Sequence, residues 1–201
     1  MHGALGSSYN YYGCLKDSLL LSKANIYNID RPGYWFSRFG KAETSIKKQA
    51  TVVAEIIESL PEEKVIFVWL SYDVPIAACA SLQTSKVKSV WMLAPAIDPA
   101  NEKILGIAYV AKWELTTWMV PGVIAVARDE KFTQIAELIK LAEIWQGVKV
   151  PVIHIYGTKE VLVPFENINF STRKFNKQYL NTIVLKNENH FLPWKRYQFC
   201  N

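Results

Sequence analysis

Short apolar runs rich in β-branched residues recur along this chain with helical patterns between them. The runs are ANIYNID (24–30), KVIFVWL (64–70), VKSVWMLAP (87–95), VPVIHIYG (150–157) and NTIVLKN (181–187). Each has the length of a strand and the near-continuous apolarity of one buried on both sides. Between the first two, Ile46, Ala50, Val53, Ile57 and Leu60 recur three or four residues apart, which predicts an amphipathic helix within ETSIKKQATVVAEIIESL. Pro75 opens a second helical stretch, PIAACASLQ, at a place suited to a first turn, and PFENINFSTRKFNKQY supplies another between the last two runs. Strands alternating with helices predict an α/β fold, a mainly parallel sheet with right-handed crossovers and cover on both faces.

One interval breaks the alternation. Residues 99–147 separate the third run from the fourth and carry a helical pattern of their own in QIAELIKLAEIW, with Ile135, Leu138, Ala142 and Trp145 on one face. An excursion of this length in an α/β fold is usually a cap over the ligand side of the sheet, with a plain surface insertion as the alternative. The expected division is therefore a core in two parts, 1–98 and 148–201, with a helical cap at 99–147 in which Trp113, Trp118 and Met119 line an apolar pocket. The 201 residues, half of them hydrophobic, suffice for one sizeable core.

Charge and cysteine content narrow the function classes. The net charge of +5 comes from lysines scattered along the chain, as in Lys47-Lys48 and Lys86 with Lys88, whereas a nucleic-acid or membrane surface would concentrate them. Neither partner is expected; a small-molecule substrate is, and the oligomeric state stays open. Cys14, Cys79 and Cys200 stand at unrelated spacings with no Cys-x-x-Cys pair, which predicts a reducing, cytoplasmic setting. The first residues lack the charged-then-apolar order of a signal peptide, and no run is long enough for a membrane span. No metal-ligand cluster and no Gly-rich phosphate loop follows a strand, so no cofactor is implied.

In parallel sheets ligands bind beyond the carboxyl ends of the strands. Ser71 follows the second run, Glu160 the fourth and His190 the fifth. A nucleophile, an acid and a base in that chain order, each after a strand, match the order of an α/β-hydrolase triad. The stretches HGALGS, DRPGYWFS, SYDVPIAACAS, LAPAID, VPVIHIYGTKEVLVPFEN and NENHFLPW resemble the successive motifs of the α/β-hydrolase superfamily over nearly the whole chain outside the cap. The resemblance implies a serine hydrolase, commonly esterase-like, acting on a small and rather apolar ester or related acyl compound. It implies Ser71 as nucleophile, His190 as base, Glu160 as acid with Asp98 as the alternative acid, and the backbone N–H groups of Tyr72 and Ala4 as the oxyanion hole. His2 belongs to the His-Gly loop and supports it, while His154, inside a strand, reads as a satisfied core histidine.

Two departures pull the other way. The family motif places glycine two positions before and after the serine, because the serine's strained backbone crowds those neighbours; this chain has Trp69 and Asp73, with Val74 at a third place that is often glycine. The expectation is a turn distorted by the indole, with the Asp73 carboxylate near the developing oxyanion and activity impaired. The HGALGS loop, which follows a third strand in the family, begins here at residue 2, so the sheet is expected to lack its first three strands, leaving five, or the sequence to be a fragment. The competing reading is a catalytically inactive α/β-hydrolase-like binding protein or a truncated gene product.

Overall fold

The structure, a computed structural model, describes residues 1–4, 6–102 and 122–191. Residues 8–16 form two single-turn 3-10 helices, and α1 (Ser18–Leu21) is one turn capped by Asp17, whose carboxylate accepts the N–H groups of Leu19 and Leu20. Next, α2 (Ile46–Ser59) is capped by the Ser45 side chain and buries Ile46, Ala50, Val53 and Ile57 along the predicted stripe. Then come β1 (Val65–Leu70), α3 (Val74–Ser81) with Pro75 in its first turn, and β2 (Val87–Leu93). The chain continues through α4 (Gly122–Lys140), α5 (Ile144–Gly147), β3 (Val152–Gly157), α6 (Glu166–Lys174) and β4 (Leu180–Leu185).

The four strands are all parallel and lie in the order β1-β2-β3-β4. ANIYNID, expected as a fifth, is not a strand. A strand is defined by a ladder with a neighbour, and periodicity cannot supply one. Side chains anchor this segment instead: Asn28 donates to the Ser8 carbonyl at 3.0 Å, Asp30 accepts from Ser8 N–H at 2.7 Å, and Asn25 donates to Glu62 at 2.7 Å.

The strand order fixes the side on which the described crossover helices lie. With right-handed crossovers, strands added always in the same direction place every connecting helix on the same side; cover on both sides needs a reversal of order. The main core follows that rule. Phe67, Trp69, Val90, Met92 and Val152 on one sheet face meet residues of α2, α3, α4, α5 and α6 in a single cluster. Among the described residues the opposite face gives a smaller cluster of Leu70, Leu93, Ala94 and Ile155, flanked by Val68, Ile153 and Leu185, with no helical residue in it.

The described part of the expected cap joins this core. Leu138, Leu141 and Trp145 are buried in the main cluster, and Trp145 meets Phe170 and Phe175 at ring-centroid distances of 5.8 and 5.4 Å. Because α4 ends at Lys140, the buried face passes from Leu138 to Leu141 and leaves Ala142 exposed. Trp113, Trp118 and Met119 lie outside the described residues. No described helix is long and apolar enough to cross a membrane.

Candidate active site

Ser71 stands directly after β1 with φ +58°, in the left-handed region that side-chain-bearing residues rarely adopt. A short 3-10 turn, Ser71–Asp73, then leads into α3. Such a turn lifts the serine off the strand line at the carboxyl edge, and its strain is held by packing on both sides. On one side the 2–4 loop presses against it: a Cβ on Gly3 would come within 3.2 Å of the Leu70 carbonyl and 3.4 Å of Ser71 Cβ. On the other, Ala96 N–H donates to the Ser71 carbonyl at 3.2 Å, tying the turn to the loop after β2.

The expected distortion by Trp69 and Asp73 is not what the structure shows. Trp69 alternates with Leu70 across the sheet and points into the main core, where its ring lies 5.2 Å from that of Phe67. Asp73 is fully buried and faces Arg31, whose Nε lies 2.6 Å from its Oδ1 as an ion pair without hydrogen-bond alignment. Both side chains leave the serine through the scaffold side, and Ser71 keeps its left-handed backbone.

Arg31 is the centre of a buried polar group that the sequence reading did not single out. Its Nη1 donates to Glu130 at 2.5 Å and Gln49 at 3.4 Å, its Nε to the His2 carbonyl at 3.3 Å, and its guanidinium lies between the rings of Tyr34 and Tyr72 at 4.5 and 4.9 Å. Glu130 also accepts from Tyr34 and Gln49. One guanidinium thus faces two buried carboxylates. Burial raises the pKa of both: Glu130 collects the aligned donors, while Asp73, without an aligned donor, is pushed up to about 7 against the pull of Arg31. Burial works against the Arg31 charge, yet the two carboxylates hold its pKa above the ordinary value.

His2 is fully buried. Its Nδ1 lies 2.9 Å from the Gly3 carbonyl and its Nε2 accepts from Arg31 N–H at 3.3 Å, which fixes the neutral Nδ1–H tautomer. Burial, helped by the nearby Arg31 charge, lowers its pKa to about 3, in keeping with that neutral ring. The residue supports the loop. His154 is buried in β3 with Nδ1 2.9 Å from the Ser171 hydroxyl, and burial lowers its pKa to about 3 as well.

Glu160 and His190 meet at the same sheet edge. β3 and β4 pair through Gly157 and Leu185, and the loops beyond them are laced together: Thr158 N–H donates to Leu185, Lys159 N–H to Glu188, and Asn187 N–H to the Thr158 hydroxyl at 2.9, 2.7 and 2.8 Å. The strands end so close that a Cβ on Gly157 would sit 2.3 Å from the Glu188 carbonyl oxygen. Across this seam His190 Nδ1 lies 2.7 Å from Glu160 Oε2, while Glu160 Oε1 accepts the N–H groups of Leu162 and Val163 at 2.6 and 3.0 Å. Burial of Glu160 acts upward on its pKa, but these donors outweigh it and hold the carboxyl below its ordinary value. With Nδ1–H donated to a carboxylate, the neutral ring keeps its lone pair on Nε2, the nitrogen needed for a general base.

Asp98, the alternative acid, is engaged elsewhere. Its carboxylate accepts from Ala100 N–H at 3.0 Å and Asn101 at 2.9 Å, and Asn167 of α6 accepts the N–H groups of Ile97 and Asp98. Tyr72 follows Ser71 in the turn, and Ala4 is exposed in the turn closed by the Gly6 N–H to Gly3 carbonyl bond of 3.0 Å. No cluster of three or more His, Cys, Asp or Glu suited to a metal ion occurs among the described residues. A cavity of about 510 Å³ lies elsewhere, beside α2, lined by Ile29, Pro32, Lys41, Val52 and Ile56 and by none of Ser71, Glu160 and His190.

The fold has counterparts among known proteins. A sequence model of the alpha/beta hydrolase fold matches residues 1–117. The comparison with curated proteins found no match. Among solved structures, an alpha/beta hydrolase enzyme from the metagenome of sediments of the lagoon of Mar Chica, Morocco, is 18% identical with a TM-score of 0.70, covering 99% of this chain and 84% of its own. A hydrolase from Oleispira antarctica is 15% identical with a TM-score of 0.70 over 96% and 83%. The monoacylglycerol lipase of Paleococcus ferrophilus is 19% identical with a TM-score of 0.65 over 94% and 84%. At such identities the likeness is one of fold.

Proposed function

Because the chain belongs to the alpha/beta hydrolase fold family, we propose that it is a serine hydrolase acting on a small, rather apolar ester or related acyl compound. The observation that carries this reading is the Glu160–His190 hydrogen bond of 2.7 Å, formed at the sheet edge where Ser71 occupies a left-handed strand-to-helix turn. Family membership alone would allow a non-catalytic relative. A carboxylate holding the imidazole in its basic tautomer is what a triad requires and what simple packing does not.

In this mechanism Ser71 Oγ attacks the acyl carbonyl as His190 Nε2 takes its proton. Glu160 keeps Nδ1–H in place and stabilises the imidazolium. The negative charge that grows on the carbonyl oxygen is met by the backbone N–H groups of Tyr72 and Ala4. His190 then returns the proton to the leaving alcohol or amine. Water repeats the cycle on the acyl-enzyme, releasing the acid and regenerating Ser71. No cofactor takes part in this scheme, and the cysteine usage supports a cytoplasmic setting.

Labelling of the purified protein with a fluorophosphonate probe, together with hydrolysis of a short-chain nitrophenyl ester, tests the reading. The expected result is one adduct, on Ser71, and loss of hydrolysis by roughly four to six powers of ten in Ser71→Ala, as when a triad nucleophile is removed. A folded protein that takes no label and hydrolyses nothing belongs to the non-catalytic reading instead.

A further inference from the structure

Two segments far apart in sequence must hold a fixed spacing if Ala4 and Tyr72 are to share one oxyanion: the 2–4 loop and the turn after β1. The structure contains one side chain that grips both. Arg31 Nε lies 3.3 Å from the His2 carbonyl oxygen and 2.6 Å from Asp73 Oδ1, and its guanidinium covers the ring of Tyr72, the residue after the serine. The Arg31 backbone adds a second grip, its N–H donating to His2 Nε2 at 3.3 Å. From behind, Glu130 of α4 and Gln49 of α2 fix the guanidinium through Nη1, and Tyr34 closes its other face.

We propose that Arg31 is a positioning residue for the reaction: it clamps the 2–4 loop to the Ser71–Asp73 turn and so sets the spacing of the two oxyanion N–H groups, without touching substrate. The claim rests on the proposed serine hydrolase chemistry and adds to it a part that the motif residues do not contain. A guanidinium suits this task because one rigid planar group holds its Nε against the carbonyl and the carboxylate while Nη1 is bonded to Glu130 and Gln49 and its face lies on an aromatic ring. A lysine keeps the charge but has a single mobile ammonium. Fully buried among two carboxylates and two rings, Arg31 also has no freedom to release one segment while holding the other.

The test compares Arg31→Lys with Trp145→Phe, a core substitution remote from this group, chosen to match its loss of thermal stability. For nitrophenyl butyrate, Arg31→Lys is expected to lower kcat roughly ten- to hundredfold with KM within about twofold, the signature of donors misplaced in the transition state rather than of weaker binding. Trp145→Phe should leave the kcat of the folded protein near that of the parent. Amide hydrogen exchange provides a readout independent of activity: residues 2–6 and 70–74 should exchange faster together in Arg31→Lys, and only 70–74 in Asp73→Ala, which severs one arm. Should Arg31→Lys fail to fold, the Asp73→Ala pattern decides. Equal kcat losses in Arg31→Lys and Trp145→Phe, or exchange in Arg31→Lys that rises in only one of the two segments, would overturn the clamp. A parent protein without hydrolysis would sink the functional reading alone, and the exchange pattern would still judge the clamp.

Discussion

The two halves of the candidate site are built in opposite ways. The serine half is held from beneath by fully buried charge: Arg31, Asp73 and Glu130, from three segments, with Gln49 and two tyrosine rings around them. The acid–base half is held sideways by short hydrogen bonds between two neighbouring loops, next to exposed Val161, Leu162 and Phe191. A strained φ at Ser71 needs support from the whole scaffold, because local bonds cannot offset its cost of roughly 1–3 kcal/mol. A histidine that must accept and release a proton needs only its tautomer and direction fixed. Position is bought with burial in one half, and protonation is controlled by local donors in the other.

The largest expected effect breaks the acid–base half without disturbing the other. Glu160→Gln keeps the size and the acceptor oxygen but lacks the charge that stabilises the imidazolium, so kcat for an ester should fall by about three to four powers of ten. Thermal stability should change little, and fluorophosphonate labelling of Ser71 should slow rather than change site. A loss of labelling combined with unfolding would mean that the two halves are one structural unit and that the contrast drawn above is wrong.

The contrast also explains what could be read from the sequence. Ser71, Glu160 and His190 stand out as candidates because each follows an apolar run, and the chain order of three strand ends needs no knowledge of three-dimensional contacts; the Glu160–His190 contact is the part the structure adds. The same reading recovered β1 to β4, α2 and the first turn of α3 at Pro75. Arg31 lies within DRPGYWFS but carries no local signal, since its partners Asp73 and Glu130 are 42 and 99 positions away and no local pattern links them. Trp69 and Asp73 were read as obstacles because spacing alone shows bulk and not direction; the side chains leave the turn toward the core and toward Arg31. The 24–30 segment has the composition of a strand, but a strand also needs a neighbour. Alternation reveals crossovers and not the order of strands, which here runs one way across the sheet.

The two halves should respond oppositely to pH. Asp73 titrates near 7 in the folded protein against an ordinary value of 3.8, so between those values the native state binds more protons than the unfolded one. On its account stability falls as pH rises through that window, by at most about 1.4 kcal/mol per pH unit. Glu160 is shifted downward from 4.5, so its contribution is present above that value and is lost as pH falls through its folded pKa. Asp73→Asn should therefore flatten the decline of unfolding free energy between pH 3.8 and about 7, measured by denaturant titration. An Asp73→Asn curve parallel to the parent's would show that Asp73 binds no extra proton in the native state.

The smallest effect sharpens the description of the acid–base half as a seam between two loops. Gly157 closes β3 where the Glu188 carbonyl crosses it, and a Cβ there would lie 2.3 Å from that oxygen, a backbone atom that cannot rotate away. In Gly157→Ala the loop after β4 has to move by a fraction of an ångström to more than one, taking His190 with it. Three bonds resist: Lys159 N–H to Glu188, Asn187 N–H to Thr158, and Glu160 to His190 itself. The strain is shared among them, so the pair should stretch without parting. Ester hydrolysis should fall roughly ten- to hundredfold through kcat, the scale of a misplaced catalytic group, while the serine half stays intact. The check is exchange at residues 70–74, expected at the parent rate. If exchange there rises as well, the seam is coupled to the buried charges, and the acid–base half is not the local construction that its hydrogen bonds describe.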